Sequence, residues 1–287
     1  MNPDFVIIGH IARDLLPDGS FRLGGSVTYA ARIAQKLGAQ VAVVTSAHKQ
    51  DVDWFSSMLP NVAVAADFAD ETTVFHNTYS SQGRTQKLLA RANTITAQSI
   101  PQAWQNAPIT LLGPIVNEID ASVPQSLQSN NVAAAPQGWM RSWKSDGFVQ
   151  LGEWRGAEHI LPHVHTLILS AEDLSGSARA AELPEQWAAK VPLVIVTHGP
   201  QGAQIWGNGC KGYVSPAFPV READPTGAGD TFAAALLLHL RKTQDIQRAA
   251  EFANAAASFV VESYDKSTAP DLDAILRRIQ TAQDRTC

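Results

Sequence analysis

The chain has 287 residues, 45% hydrophobic and 17% charged, with a formal net charge of -5; it can bury a large α/β core, and with no basic block it lacks the charge stripe of a nucleic-acid binder. Two cysteines, Cys210 and Cys287, exclude a disulfide framework and a cysteine-built zinc site and fit a reducing, cytoplasmic setting. The opening MNPDFVIIGH has no basic leader and no stretch approaches a membrane span, so neither a signal peptide nor a membrane partner is expected.

The run Phe5–Ile8, ended by Gly9, reads as a fully buried strand. After the pair Gly24-Gly25, the residues Val27, Ala30, Ala31, Ala34 and Leu37 recur at helical spacing, and Gly38 is a stop signal. VAVVTS (41–46) is a second buried strand, so the order strand, helix, strand predicts a parallel sheet. Two segments break that alternation. Residues 12–24 hold a Pro-Asp-Gly turn between extended pieces, and residues 71–92 alternate as a hairpin with a polar turn; they predict a small separate β lid. Buried-strand candidates resume at 109–113, 131–136, 166–170 and 192–199, with helix candidates of uneven quality around 121–128, 152–161 and 178–189. A late antiparallel hairpin is expected over 202–216. Helices follow from about Ala228 to Leu240, from about Ile246 to Glu262 and from about Leu272. No internal repeat or low-complexity linker appears, which favours one main domain over residues 1–287.

Chemistry concentrates at EADPTGAGDTFA, residues 222–233. Thr226 can cap, Gly227-Ala228-Gly229 lets the backbone approach a ligand closely, and TFAAALLLHL continues as an apolar helix. The N–H groups at such a helix start stabilise negative charge developing on a phosphoryl group. Asp230, in the first turn, is then placed to take the proton of an attacking alcohol, and Asp224 to serve the nucleotide or metal side. Taken alone, the same GAGD is also what a turn with a dipole-complementing acid would produce. A Walker loop is absent, and Phe232 stands where a dinucleotide fingerprint needs a small residue, which removes a dehydrogenase.

DPTGAGDTFAAALL resembles the second signature of the ribokinase/PfkB family of carbohydrate kinases, and LGGSVTYAARIAQKLG resembles its first glycine-pair region, in the right order. The resemblance implies a ribokinase-like, doubly wound, mostly parallel α/β sheet with helices on both faces and a small β lid. It also implies ATP as donor and Mg²⁺. By position, Asp230 resembles the catalytic base and Gly227, Ala228 and Gly229 the anion hole; Asp14, Gly24 and Gly25 resemble the acceptor site. On the nucleotide side the matching positions are Thr197, Gly199 and Gly202 in VTHGPQGA, with Asp224, Thr226 and Asn254.

Two positions depart from the family pattern. Tyr29 stands where the family often has a sugar-contacting Asn, which points away from ribose or fructose. The metal-side N-x-x-E element appears as SAED, with Ser170 and Asp173 in the outer places and Glu172 adjacent, so Glu172 and Asp173 are the metal candidates. NTYSSQGRTQ, LLGPIVNEID, QGWMRSW and LSAEDL resemble a subgroup that includes myo-inositol kinases. There Asn77, Arg84, Gln86, Glu118, Gln137 and Arg141 would supply donors and acceptors for a hydroxyl-rich ring; each taken alone is equally a solvated polar residue. The expected activity is transfer of the γ-phosphate to a hydroxyl of a small polyol or sugar, myo-inositol first. Ribose or fructose, a nucleoside, and a catalytically silent sensor are the alternatives. Exposed lid edges suggest a homodimer, and the segment ESYDKSTAP leaves a monovalent-cation requirement open. His159, His163 and His165 do not share a helical face, so zinc is not expected there.

Overall fold

A computed structural model of the chain describes residues 2–16, 18–80, 83–129 and 131–284. Pro17 of the first predicted turn and Ser81 and Gln82 of the second lie outside the described residues.

The large sheet is assembled from β1 (Phe5–Ile8), β4 (Val41–Ala47), β5 (Ala63–Phe68), β8 (Ile109–Leu112), β9 (Val132–Ala134), β12 (Thr166–Ser170), β13 (Leu193–Thr197), β14 (Ala203–Gly207) and β15 (Cys210–Ser215). Their order across the sheet is β15-β14-β13-β12-β9-β8-β1-β4-β5, parallel throughout except for the late hairpin β14-β15. Each residue of β1 is paired on both sides, Phe5 with Val41 and with Ile109. An unbroken apolar run is what such a strand requires, because both its faces are covered. Phe5 and Ile7 enter one core, and Val6 and Ile8 the other. The first core is closed by α1 (Ser26–Lys36), α2 (Lys49–Met58), α7 (Ala228–Thr243), α8 (Ile246–Val261) and α9 (Leu272–Asp284). The second lies under α3 (Ser122–Ser126), α4 (Ala157–Ile160), α5 (Ala171–Leu174) and α6 (Leu183–Ala188). Trp139, Trp154 and Trp187 pack together there, the first two stacked at 5.2 Å.

The lid is a second sheet, β2 (Ala12–Leu15), β3 (Phe21–Gly24), β6 (Thr73–Ser80) and β7 (Gly83–Ala90), in the order β3-β2-β6-β7. The two odd segments of the sequence thus pair with each other, β2 parallel to β6. Arg13 of β2 reaches Asp51 of α2 at 2.7 Å, and His10 bridges Thr73 and Asn93, so the lid is tied to the core at its base. Burial holds the His10 imidazole below its usual pKa.

The helix candidates around 121–128, 152–161 and 178–189 shrink to the short α3, α4 and α6, interrupted by Pro and by connecting turns. Several elements escaped the pattern, helix α2 among them. Edge strand β5, AVAADF, lacks the β-branched alternation that marks strands, and the hairpin β10 (Arg141–Trp143) with β11 (Val149–Leu151) is three residues a side.

Candidate active site

Strand order reverses at β1: the chain steps to β4 and β5 on one side, then returns to fill β8, β9, β12 and β13 on the other. Ligands of open α/β sheets sit outside the carboxyl ends of the strands at such a reversal. Helix α7 packs against α1, β8 and β12, and its start meets Tyr29 of α1.

The turn entering α7 is built locally. The Asp224 carboxylate accepts from the Thr226 N–H at 2.9 Å, and the Ala228 N–H closes on the Pro225 carbonyl at 3.1 Å. Gly227 caps the helix with φ 82. The N–H groups of Gly227, Gly229 and Asp230 have no acceptor among the described residues. Ala228, expected with Gly227 and Gly229 in an anion hole, instead uses its amide inside the turn, on the Pro225 carbonyl. A Cβ on Gly227 would sit 2.4 Å from the Tyr29 ring. Gly227→Ala therefore meets both an unfavourable φ and a collision. It is expected to cost about 1–3 kcal/mol of stability, read in a urea melt, and to weaken anion binding.

Asp230 is half-buried and accepts a side-chain hydrogen bond from Ser26, at the start of α1. Burial raises its pKa; Ser26 and the Arg141 charge oppose this, and Asp173 adds to it. A carboxylate raised in this way is a better proton acceptor near neutral pH.

Asp14, Gly24, Asn77 and Gln86, expected on the acceptor side, lie on the lid. Asn77 donates to Asp14 at 3.2 Å, and Gln86 donates to Asn77 at 3.0 Å, so the three form one chain across β2, β6 and β7. Gly24 leaves room for this chain, since a Cβ there would lie 2.6 Å from the Asp14 carboxylate. Gly25 caps α1 beside it. Tyr29 lies between the two acids: it is buried, its hydroxyl has no partner among the described residues, and Asp14 and Asp230 both act on it. Burial first, then those acids, push its pKa far up, so it is a neutral donor and acceptor. Arg141 donates to the Ile115 carbonyl at 3.2 Å while its charge reaches Asp230, and Gln137 is half-buried on the turn before it. The side chain of Arg84 lies outside the described residues.

Several expectations are corrected. Glu118 is fully buried, and its carboxylate accepts from the backbone N–H groups of His10, Ile115 and Val116, partners that give it a structural role. Asn254 donates its amide nitrogen to the carbonyls of Ser215 and Pro216 and to the Ser215 hydroxyl, so it ties α8 to the end of β15. The Asp224 carboxylate is engaged by Thr226 and by Arg22 at 3.4 Å, with the Lys266 ammonium at 3.9 Å. Burial opposes its ionisation, but these hydrogen bonds and charges hold its pKa below the usual range. The Asp173 carboxylate closes a capping box with Ser170, whereas Glu172 is exposed on the same turn. No cluster of three or more His, Cys, Asp or Glu able to hold a metal exists among the described residues. Thr197 ends β13 in register with Ser170, which sets the SAED turn and the strand end on one edge. Gly199 faces open space, while Gly202 is closed against the Ser215 carbonyl.

Three residues were missed by sequence reasoning: Ser26 on Asp230, Arg22 on Asp224, and Lys266, described below. Only Arg22 carried a signal, being one of two cations, with Arg13, in the segment that precedes the glycine pair.

A doubly wound sheet with a four-stranded lid over its switch point is a ribokinase-like α/β fold. Residues 144–272 match the model of the pfkB family carbohydrate kinases. It is 36% identical to a ribokinase of Bacillus subtilis over 108 residues, 38% of this chain and 34% of that one. It is 26% identical to a cytidine kinase of Thermococcus kodakarensis over 82% of this chain and 87% of that one. The chain spans about a third of the length of the first curated relatives it matches. Among solved structures, a pyrophosphate-dependent kinase in the ribokinase family superposes with TM-score 0.80 at 22% identity, covering 96% of this chain and 99% of that one. A ribokinase of Arabidopsis thaliana complexed with ribose and ATP gives TM-score 0.75 at 19% identity, with 98% and 99% covered. At such identities the likeness shows the fold.

Proposed function

We propose that this chain is a phosphotransferase that moves a terminal phosphoryl group, from ATP in the first instance, to a hydroxyl of a small polyol or sugar. The observation that carries this reading is the coincidence, in one helix turn, of three unpartnered N–H groups and a half-buried carboxylate raised by burial. The N–H groups of Gly227, Gly229 and Asp230 would receive the phosphoryl oxygens, and Asp230 would take the proton of the attacking alcohol. Asp14, with Asn77 and Gln86 behind it, would hold a second acceptor hydroxyl and so orient the first. Lid strands over this cleft would keep out water, a competing nucleophile. Mg²⁺ would neutralise phosphate charge; the carboxylates fit an ion carried mainly by the donor, with Glu172 as the one exposed side chain on the SAED turn.

Myo-inositol is the first acceptor in this proposal. Tyr29 supports a choice other than ribose or fructose, because its ring covers Gly227 and its unpaired hydroxyl lies where a further ring hydroxyl could bond. The exposed edges of the lid, with Phe21 on β3 and Leu89 on β7 partly in solvent, support pairing of two copies through the lid.

The test is product release with Mg²⁺ and either ATP or pyrophosphate, against myo-inositol, ribose, fructose, 2-keto-3-deoxygluconate, adenosine, cytidine and no acceptor. Turnover with myo-inositol alone is the expected result. Turnover with another acceptor, or with pyrophosphate alone, would keep the phosphotransfer and replace that substrate. Ligand-induced stabilisation without turnover across the panel would turn the reading toward a sensor. Within the proposal, Asp14→Ala should raise the acceptor KM roughly 10- to 100-fold and leave the donor KM alone, because it removes a charged hydrogen bond. A shifted donor KM with an unchanged acceptor KM would remove Asp14 from the acceptor site.

A further inference from the structure

Lys266 lies in the connection between α8 and α9, only 5% exposed, and nothing in the chemistry above uses it. Its ammonium donates to the carbonyls of Asp224 at 2.5 Å, Val260 at 2.7 Å and Ser263 at 2.7 Å, with the Asp224 carboxylate at 3.9 Å. Three carbonyl acceptors need three N–H donors, which a lysine supplies only when protonated. Each acceptor lies on a different part of the site's frame. Val260 belongs to the last turn of α8, Ser263 follows it, and Asp224 opens the turn whose N–H groups face the cleft. The same turn is held to α8 by the N–H groups of Ala223 and Asp224 on the Val261 carbonyl, at 2.9 and 3.2 Å. The Lys266 carbonyl in turn accepts from Arg32 of α1, the helix that carries Tyr29 and Ser26.

Removing a charge from water costs several kcal/mol unless it is compensated, so a buried ammonium caged by backbone oxygens implies a use for the charge. An oxygen cage of this kind is also one that a dissolved monovalent cation would occupy. We propose that Lys266 is a positioning residue: its ammonium is a tethered cation that locks the Asp224–Gly227 turn in its anion-binding form, so that no soluble monovalent ion is needed. This rests on the reading of that turn as the phosphoryl site. It also answers, for this chain, the cation requirement that the sequence left open. A cavity of about 270 Å³ adjoins Lys266 and is lined by Tyr29, Arg32 and Thr231, which gives a dissolved ion a route to the cage once the side chain is shortened.

The experiment uses the full chain and its variants Lys266→Ala and Lys266→Met, at constant ionic strength in chloride salts of choline, lithium, sodium, potassium and ammonium. Two readouts are taken: kcat and KM for transfer, and the rise in melting temperature produced by inorganic pyrophosphate as an anion probe. The wild type is expected to vary less than about twofold in kcat across the salts. Lys266→Ala should lose at least ~10-fold in kcat in choline, with little change in acceptor KM, and recover saturably with potassium or ammonium. The pyrophosphate-induced shift should vanish and return in parallel. Lys266→Met, which fills the cage with an apolar chain, should lose activity without rescue. A wild type stimulated severalfold by potassium overturns the proposal even if neither variant folds. So does a folded Lys266→Ala whose kcat and anion shift match the wild type in choline, or whose loss no cation repairs. If no acceptor supports turnover, the pyrophosphate shift still tests Lys266, so failure of the kinase reading and failure of this one remain distinct.

Discussion

Asp230→Asn is expected to lower kcat by at least ~10² while donor and acceptor binding stay nearly unchanged, because a proton acceptor made only for the transition state is lost. The loss should not come from unfolding. Burial raises the Asp230 pKa in the folded protein, so this carboxyl favours the fold most at low pH, and that contribution declines as pH rises through the folded pKa. At neutral pH the neutral amide is relieved of this penalty and should melt at or above the wild-type temperature. The pH profile gives a second check. A base works when deprotonated, so kcat/KM should rise with pH along an acidic limb lying above the ordinary carboxylate range, and Asn should abolish that limb. A variant with near-normal turnover, or with the same limb, would remove Asp230 as the base.

Glu118→Ala is expected to produce the largest loss of stability of any change proposed for this chain. The carboxylate takes the N–H groups of His10, Ile115 and Val116 in a fully buried setting. Each stranded donor costs about 1–3 kcal/mol, so the variant should lose about 3–9 kcal/mol and melt at least about 6 °C lower. His10 sits at the base of the lid, and its ring bonds to Thr73 and Asn93 should loosen with it. Activity per folded molecule, measured well below the melting temperature, is the discriminating readout. An acceptor contact would show a raised acceptor KM with an unchanged melt, and that outcome would reverse the structural assignment.

The contrast between Glu118 and Asp14 shows where sequence reasoning stops. Both are acids near strand ends, and both are buried. The family resemblance assigned both to the acceptor side; their partners separate them, backbone N–H groups for one and a lid amide for the other. Asn254 met the same limit, since its helix was read correctly while its amide turned out to serve Ser215 and Pro216.

Local information carried the alternation of buried strands and helices, the apolar run of α7, the two lid segments and the DPTGAGD turn, because strand period, helix period, glycine conformation and capping act over a few residues. The edge strand β5 and the stubby α3, α4 and α6 escaped because short elements are fixed by the neighbours they pack on. The polar partnerships were invisible for a stronger reason. His10 meets Glu118 across 108 residues, Arg22 meets Asp224 across 202, and Lys266 meets Asp224 across 42. A hydrogen bond is set by ångström-scale position, and position between such distant residues exists only once the sheet has closed and brought its crossovers together.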